Sequence, residues 1–245
     1  MTARLAGKTA LISGGARGQG AAHGRRLAEE GAAVVLGDIL EDAGEAHAQE
    51  LRAAGHAAHF LRLDVSAPDD WNAAVQAAEE RFGRLDILVN NAGVVRMAAV
   101  VDETDDGWHD TMAVNATGVF YGMRAAIPAL RRAGGGSVIN VASIYGPVGA
   151  PHYVAYSASK GAVIAMTKVA ALEHAQDGIR VNAICPGPVR TPMSEEEGDA
   201  SVDVTPIRRR AEPEEISAAV AFLASDDAVY ITGAELAVDG GYLAR

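Results

Sequence analysis

Short apolar runs alternate with longer amphipathic stretches from one end of the chain to the other. The apolar runs predict seven strands, at residues 9–13, 32–37, 60–63, 87–89, 138–141, 180–184 and 235–238. The amphipathic stretches between them predict helices, and the two longest cover residues 108–132 and 154–175. Because continuous apolar strands separated by helices are typical of a parallel sheet covered on both faces, we expect a doubly wound α/β fold.

The composition fits one globular domain that spans residues 1–245. The chain is 49% hydrophobic and 22% charged, without a linker or an internal repeat. Its net charge of -11 argues against nucleic acid or an anionic membrane as a partner. No apolar run approaches the roughly 20 residues of a membrane span, and residues 1–8 lack the apolar segment of a signal peptide. Because Cys185 is the single cysteine, we expect a reducing cytoplasm, and no metal site is predicted.

The turn after the first strand is rich in glycine and opens a helix. Gly14, Gly18 and Gly20 permit a tight turn and a close approach of the backbone to a pyrophosphate. The exposed amides and the positive end of the helix would hold that anion, with Arg17 and Gln19 in the same loop. A glycine-rich turn placed directly between a strand and a helix therefore predicts a dinucleotide site.

Asp38 follows the second strand, 18 residues beyond Gly20. A carboxylate at this place accepts hydrogen bonds from the adenosine ribose and repels a 2′-phosphate, which favours NAD over NADP. Arg17 supports the opposite preference, because a guanidinium in the glycine-rich loop could grip that phosphate. Asp38 carries more weight, since no second basic residue follows it. The other role open to Asp38 is to cap the next helix.

The candidate chemistry lies in Tyr156 and Lys160, which are four residues apart in a predicted helix. That spacing puts both side chains on one face, where an ammonium favours the phenolate and lowers the tyrosine pKa from about 10. A tyrosine tuned in this way exchanges a proton with an alcohol or carbonyl oxygen. The chain has 18 arginines but three lysines, so lysine at this position indicates a compact ammonium rather than a surface ion pair. Ser143 arrives from a separate element and could meet the same oxygen from another side.

The order and spacing of these motifs resemble those of the short-chain dehydrogenase/reductase family over essentially the whole chain. The markers are Gly14-x-x-x-Gly18-x-Gly20, Asp64-Val65, Asn90-Asn91-Ala92-Gly93, Asn115, Ser143, Tyr156-x-x-x-Lys160 and Pro186-Gly187 followed by Thr191. One departure is Ser13, where the family more often has threonine. The resemblance implies a Rossmann fold and an NAD(H)-dependent enzyme that interconverts a secondary alcohol and a ketone.

The resemblance also implies roles for individual positions. Tyr156 would act as general acid and base beside Ser143, while Lys160 would also hydrogen-bond the nicotinamide ribose. Asn115 would hold a water that links Lys160 to solvent, and the alternative is an amide that only stabilises its helix. Asp64 and Val65 would contact the adenine. Val189 and Thr191 would contact the nicotinamide amide. The other implied cofactor residues are Gly14, Arg17, Gly18, Gln19, Gly20, Asp38, Ile39, Asn91, Ala92, Gly93, Pro186 and Gly187.

Within the family, several segments are similar to bacterial NAD-dependent 3α,20β-hydroxysteroid dehydrogenases. This similarity implies a hydroxysteroid or another cyclic or aryl alcohol as the substrate. We expect a substrate lid at residues 192–205, where Met193 would cover an apolar ring and residues 195–197 would be solvated. His152 and Tyr153, just ahead of the catalytic helix, would line the substrate pocket.

Two other functions stay open. A 3-oxoacyl-[acyl-carrier-protein] reductase would prefer NADPH and would dock an acidic carrier on a basic patch. Asp38 and Asp177 oppose that function, whereas Arg131 and Arg132 favour it. A dinucleotide-binding sensor or scaffold without turnover is the second alternative, and the intact catalytic side chains oppose it.

The resemblance further implies a homotetramer. Related proteins commonly pack their two longest helices into a four-helix interface between subunits. The helix over residues 154–175 carries small side chains that would permit close approach, at Ala155, Ala158, Ala162 and Ala165. The same alanines could instead pack inside the domain.

Overall fold

A computed structural model of the protein describes residues 3–194 and 200–244. Its strands are β1 (Thr9–Ser13), β2 (Ala33–Asp38), β3 (Ala58–Arg62), β4 (Ile87–Asn90), β5 (Gly136–Val141), β6 (Ile179–Pro186) and β7 (Glu235–Val238). All neighbours are parallel, in the order β3-β2-β1-β4-β5-β6-β7. This arrangement confirms the seven-stranded, doubly wound Rossmann fold that the apolar pattern predicts.

Helices connect the strands and cover both faces of the sheet. Across the described residues the α-helices are α1 (Gly18–Glu29), α2 (Glu41–Ala53), α3 (Pro68–Phe82), α4 (Asp105–Met112), α5 (Gly118–Arg132), α6 (Val154–His174), α7 (Ala200–Val204) and α8 (Pro213–Ala224). None of them combines the length and the apolar character that crossing a bilayer would require.

Side chains of the inner strands alternate between two apolar cores. On β1, Ala10 and Ile12 enter one core and Leu11 enters the other, and all three are fully buried. The first core contains residues of α1, α2 and α8, and the second contains residues of α3, α5 and α6. Burial on both faces explains why the strands read as continuous apolar runs.

The long helical region predicted over residues 108–132 is confirmed, but it begins three residues earlier and is not α-helical throughout. Here α4 begins at Asp105, because Thr104 Oγ1 accepts a hydrogen bond from Gly107 N at 3.0 Å and caps the first turn. A π-turn over Ala113–Thr117 then separates α4 from α5. A π-turn widens the helix locally while the apolar pattern continues through it, so periodicity alone does not locate it.

The strand order reverses between β1 and β4. The chain builds outward from β1 to β3 and then returns to the other side of β1. Loops that leave the carboxyl ends of these two strands therefore diverge and open a crevice, which is where doubly wound sheets bind their ligands.

His23 is a fully buried residue of α1, on the side where this helix packs against α8. Ser217 Oγ donates to Pro213 O at 2.9 Å, so the His23 Nδ1–H must donate to Ser217 Oγ, also at 2.9 Å. The other ring nitrogen, Nε2, is buried without a hydrogen-bond partner in the part of the chain that the structure describes. Burial lowers the pKa of His23 from 6.5 to about 3, because a charged ring in this position would lose its hydration.

This burial predicts an acid-sensitive fold. The folded-state pKa lies below the unfolded one, so the stabilisation is complete above about pH 6.5 and is lost as the pH falls towards 3. We expect replacement His23→Phe to reduce the loss of unfolding free energy between pH 7 and pH 5 by roughly 2 kcal/mol. Urea unfolding at the two pH values measures this difference.

The exposed His109 provides the matched control. The substitution His109→Phe should leave the pH dependence of unfolding as it is in the unmodified protein. Equal pH dependence in the His23→Phe variant and the unmodified protein would show that His23 is not the group responsible.

Candidate active site

A cleft of about 350 Å³ opens at the carboxyl edge of the sheet, over the point where the strand order reverses. The loops after each of the strands from β1 to β6 contribute to its walls, and α6 contributes side chains from its first two turns. The cleft therefore joins the glycine-rich loop to the candidate catalytic residues.

The glycine-rich loop is shaped by close backbone contacts. Gly14 and Gly18 have φ angles of +67° and +57°, which favour glycine. A Cβ at Gly20 would overlap the carbonyl oxygen of Gly14, so the first turn of α1 packs directly on the loop. Asn91 Nδ2 fixes the opposite side by donating to Ser13 O at 3.0 Å. Ser13 Oγ accepts from Asn91 N at 3.1 Å. The serine at the position where threonine is more common therefore still provides a hydroxyl that holds the loop after β4.

Unsatisfied polar groups at the start of α1 fit an anionic ligand. Arg17, the residue before this helix, makes no side-chain capping hydrogen bond and is exposed. Gln19 Oε1 is buried and lacks a hydrogen-bond partner within residues 3–194 and 200–244. Free amides at a helix start, together with a backbone approach kept open by glycine, suit the pyrophosphate of a dinucleotide.

Asp38 ends β2 at the rim of the cleft. Its Oδ2 accepts from Ala16 N in the glycine-rich loop at 3.0 Å, and its Oδ1 accepts from Leu40 N, next to the start of α2, also at 3.0 Å. The carboxylate therefore joins two cofactor-side segments. It does not cap α2, whose N-cap residue is Leu40 and which has no side-chain capping hydrogen bond.

Asp64 and Val65 come shortly after β3 and line the cleft. Ser66 donates to Asp64 Oδ1 from its hydroxyl at 2.6 Å and from its backbone N at 3.0 Å. These two hydrogen bonds lower the pKa of Asp64, so the carboxylate stays charged. Val65 is buried and presents an apolar surface beside that charge.

Tyr156 and Lys160 lie one turn apart in α6, as their spacing predicts. Lys160 Nζ is 5.7 Å from the ring centroid of Tyr156 and donates to Val141 O, at the end of β5, at 2.8 Å. The lysine is only 4% exposed. Burial lowers its pKa from 10.5 to about 8, because the ammonium has lost most of its hydration.

Ser143 is held just beyond β5 by two backbone contacts. Its Oγ accepts from Tyr145 N at 3.1 Å. Its own backbone N–H donates to the thiol of Cys185 on β6. That thiol is buried, and burial raises its pKa to about 11, so Cys185 is present as the neutral thiol. The Ser143 hydroxyl is consequently fixed in place with its hydrogen available to a ligand oxygen.

Asn115 lies in the π-turn and does not line the cleft. Its amide donates to Val94 O at 2.9 Å and accepts from Val94 N at 2.8 Å. It also donates to Ser159 Oγ at 3.1 Å, on the helix that carries the tyrosine. Asn115 therefore ties the loop after β4 to α6, and the water relay expected from the family resemblance stays a prediction.

The structure gathers most of the expected side chains in this one cleft. The catalytic residues that line it are Ser143, Tyr156 and Lys160, and the substrate residue that lines it is Met193. The expected cofactor residues all line it as well: Gly14, Arg17, Gly18, Gln19, Gly20, Asp38, Ile39, Asp64, Val65, Asn91, Ala92, Gly93, Pro186, Gly187, Val189 and Thr191. Their roles in binding remain predictions.

Two expected substrate residues lie outside the cleft walls. Tyr153 packs its ring on those of Tyr145 and Tyr156, with centroids 5.0 and 6.2 Å apart. His152 is exposed, has a φ angle of 68°, and uses its carbonyl to accept from Ala98 N at 2.8 Å. This hydrogen bond links the loop that contains Ala98 to the loop that precedes α6. Of the expected lid, Pro192, Met193, Ser194 and Ser201 line the cleft, while residues 195–197 fall outside the described residues.

Tyr145 is the clearest cleft residue that the sequence reasoning missed. It follows Ser143 by two positions, and no motif or spacing marks it in the sequence. Other lining side chains that were not anticipated include Leu40, Val94, Val114 and Ile144. Apolar residues such as these carry no motif, because packing rather than chemistry selects them.

Comparison with known proteins identifies the family. A family model described as enoyl-(acyl carrier protein) reductase matches residues 14–243. A 3-alpha-(or 20-beta)-hydroxysteroid dehydrogenase of Mycobacterium bovis is 48% identical over 244 residues, which cover 100% of this chain and 92% of that protein. The chain belongs to the short-chain dehydrogenase/reductase family.

Other members of the short-chain dehydrogenase/reductase family are nearly as similar. A trans-4-hydroxycyclohexanecarboxylate dehydrogenase of Sinomonas cyclohexanicum is 47% identical over 246 residues, which cover 97% of this chain and 93% of that protein. The crystal structure of gox2181 matches with a TM-score of 0.95 at 32% identity, covering 99% of this chain and 98% of that one. The family expected from the motifs is thus confirmed, and its named dehydrogenases support an oxidoreductase.

Proposed function

We propose that this protein is an NAD(H)-dependent oxidoreductase that interconverts a secondary alcohol and a ketone. One observation carries the proposal. Ser143, Tyr156 and Lys160 line the same cleft as the glycine-rich loop before α1. A group that exchanges protons and a cradle that suits a dinucleotide are the two parts that such an enzyme requires.

The chain's own residues would manage the proton and the substrate oxygen. Tyr156 would take the hydroxyl proton during oxidation and return it during reduction. Ser143 would donate a hydrogen bond to the same oxygen and stabilise its developing charge. The Lys160 ammonium, 5.7 Å from the ring of Tyr156, favours the phenolate by its charge. The bound nicotinamide would supply the acceptor or donor of the hydride.

The charge at the adenosine end supports NAD rather than NADP. Asp38 is held by two backbone amides and cannot easily turn away from a ligand placed over the loop. A 2′-phosphate there would face a fixed carboxylate at close range. Arg17 lines the same region but is exposed, so water screens its charge more strongly.

A hydroxysteroid or another cyclic or aryl alcohol is the substrate class that we infer. The two relatives named above are a hydroxysteroid dehydrogenase and a hydroxycyclohexanecarboxylate dehydrogenase, so both names contain a ring alcohol. Met193, which lines the cleft and is 43% exposed, offers an adaptable apolar cover at the opening. The lid over residues 192–205 and the cytoplasmic location both stay predictions.

Contacts of two arginines weaken the acyl-carrier alternative. Arg131 donates to Asp177 at 2.6 Å, and Arg132 makes a two-pronged contact with Glu79, with a shortest distance of 2.8 Å. Both guanidinium groups are therefore already paired with carboxylates. The basic patch that would receive an acidic carrier is largely neutralised within the protomer.

Replacing Tyr156 by phenylalanine tests the proposed chemistry. We expect Tyr156→Phe to lower kcat by about 10³-fold, because the ring remains but the proton-exchanging oxygen is lost. The dissociation constant for NADH should stay within about threefold of the unmodified value. kcat is measured on a panel of steroid, cyclic, aryl and acyl-thioester substrates, with NAD or NADP for oxidation and NADH or NADPH for reduction. The dissociation constant is measured by titration with NADH.

The fully exposed Tyr230 gives a matched control, and Tyr230→Phe should leave kcat unchanged. A Tyr156→Phe enzyme as active as the unmodified one would refute the proposed acid–base role. NADH binding without turnover of any substrate by the unmodified protein would favour the sensor or scaffold.

The proposed cofactor preference rests on Asp38 and is tested by Asp38→Asn. Asparagine keeps the size and one acceptor oxygen but removes the charge that opposes a 2′-phosphate. We expect the ratio of kcat/KM for NADP to that for NAD to rise at least about tenfold, or roughly 1.4 kcal/mol. The control Asp42→Asn changes an exposed carboxylate on α2 and should leave the ratio unchanged. A preference for NADPH in the unmodified protein would contradict the assignment.

A homotetramer is proposed from an exposed apolar stripe on α6. Ala158 and Ala165 are exposed, as are Val169 at 55% and Leu172 at 84%, and their spacing places them on one face. Ala155, in contrast, is fully buried inside the protomer, which is the alternative that the sequence left open for these alanines. An apolar face of this kind is typical of a surface that a second copy covers.

Sedimentation velocity tests the assembly. We expect the unmodified protein to sediment at four times the protomer mass of 25.3 kDa, and Leu172→Glu to lower that mass by placing a charge in an apolar contact. Asn72→Glu, on the exposed face of α3, adds the same charge elsewhere and should change nothing. An unmodified protein that sediments as a monomer would end this proposal.

A further inference from the structure

Four tyrosine rings form a continuous row beside the cleft. The ring of Tyr242 meets that of Tyr145 edge-on, with centroids 6.3 Å apart. Tyr145 in turn packs on Tyr153 at 5.0 Å, and Tyr153 packs edge-on against Tyr156 at 6.2 Å. All three separations fall in the range of favourable aromatic pairs. The row therefore leads from the candidate catalytic tyrosine to a residue near the end of the chain.

The segment that carries Tyr242 is fixed by one carboxylate. Asp239 Oδ1 accepts from Gly241 N, and Oδ2 accepts from Leu243 N, both at 2.8 Å. These two bonds hold the backbone on either side of Tyr242. Asp239 also packs against the cleft, because a Cβ added to Gly187 would come within 2.8 Å of the Asp239 Cα.

Tyr145, like Tyr156, is a member of the row that lines the cleft. It lines the cleft two residues after Ser143, and its backbone N–H holds the Ser143 hydroxyl. A substrate oxygen placed at Ser143 would therefore put the substrate carbons beside the Tyr145 ring. Tyr242 supports that ring from the side with an edge contact.

We propose that Tyr145, supported by Tyr242, determines specificity for ring-bearing secondary alcohols. An aromatic face offers a flat, rigid apolar surface, and a closed ring covers it at little conformational cost. An open chain with the same number of carbons must lose several rotations to make a comparable contact. The inference rests on the proposed alcohol dehydrogenase function and adds the residues that select its substrate.

Selectivity is measured as the ratio of kcat/KM for cyclohexanol to kcat/KM for hexan-2-ol, with NAD as the oxidant. We expect the unmodified protein to favour cyclohexanol by about tenfold. Tyr242→Ala removes the support of Tyr145 and should reduce that preference to less than about twofold. Tyr242→Phe keeps the ring contact and should retain the full preference.

A second variant leaves every aromatic ring in place. Asp239→Ala releases the backbone on both sides of Tyr242 and should lower the same ratio, while NADH affinity stays within about threefold. The fully exposed Tyr230 supplies the control, since Tyr230→Ala removes a ring that lies outside the row and should keep the ratio. Thermal unfolding and NADH titration of each variant identify any that fail to fold.

The outcomes separate this inference from the function on which it rests. Oxidation of cyclohexanol with an unchanged ratio in both Tyr242→Ala and Asp239→Ala overturns the inference alone. An unmodified protein that oxidises hexan-2-ol as well as cyclohexanol also overturns it. An unmodified protein that oxidises no alcohol of any class overturns the inference and the proposed function together.

Discussion

The buried ammonium of Lys160 is the constraint around which the site is built. A charge that is 4% exposed loses most of its hydration, and the ammonium donates to a backbone acceptor, Val141 O, at 2.8 Å. That carbonyl ends β5, and two residues later the same segment supplies Ser143. The position of α6 against β5 therefore fixes the charge and the serine together. Movement of either element would leave the ammonium buried without its acceptor.

Local sequence patterns predicted the parts of the molecule that are themselves local. Seven apolar runs located the seven strands of the sheet, and the five inner strands, β2, β1, β4, β5 and β6, are buried on both faces. The glycine-rich loop and Asp38 were placed in one cleft because they follow adjacent strands, whose carboxyl ends share an edge. Tyr145 and Tyr242 were not found, since 97 positions separate two rings that lie 6.3 Å apart. Such contacts depend on tertiary packing and leave no periodic signal.

Asn115, for which the family resemblance implies a water-holding role, lies in the π-turn and does not line the cleft. The wider turn brings its side chain to both backbone groups of Val94, as one strand residue would pair with another. The same amide reaches Ser159 on α6, whose hydroxyl donates to Tyr156 O at 2.7 Å. A short chain of hydrogen bonds thus connects the loop after β4 to the backbone of the tyrosine. Buried networks of this kind specify one geometry, because every unsatisfied member would be costly.

Asp38 has a structural role in addition to any role in binding, since it holds Ala16 on one side and Leu40 on the other. A side chain that holds two backbone segments is not easily replaced by another residue type. Exchange for an apolar or basic residue would release two backbone amides at once, so a lineage that altered its coenzyme would need compensating changes in both loops. Divergence at this position should therefore be accompanied by divergence in the lengths or sequences of the segments that it joins.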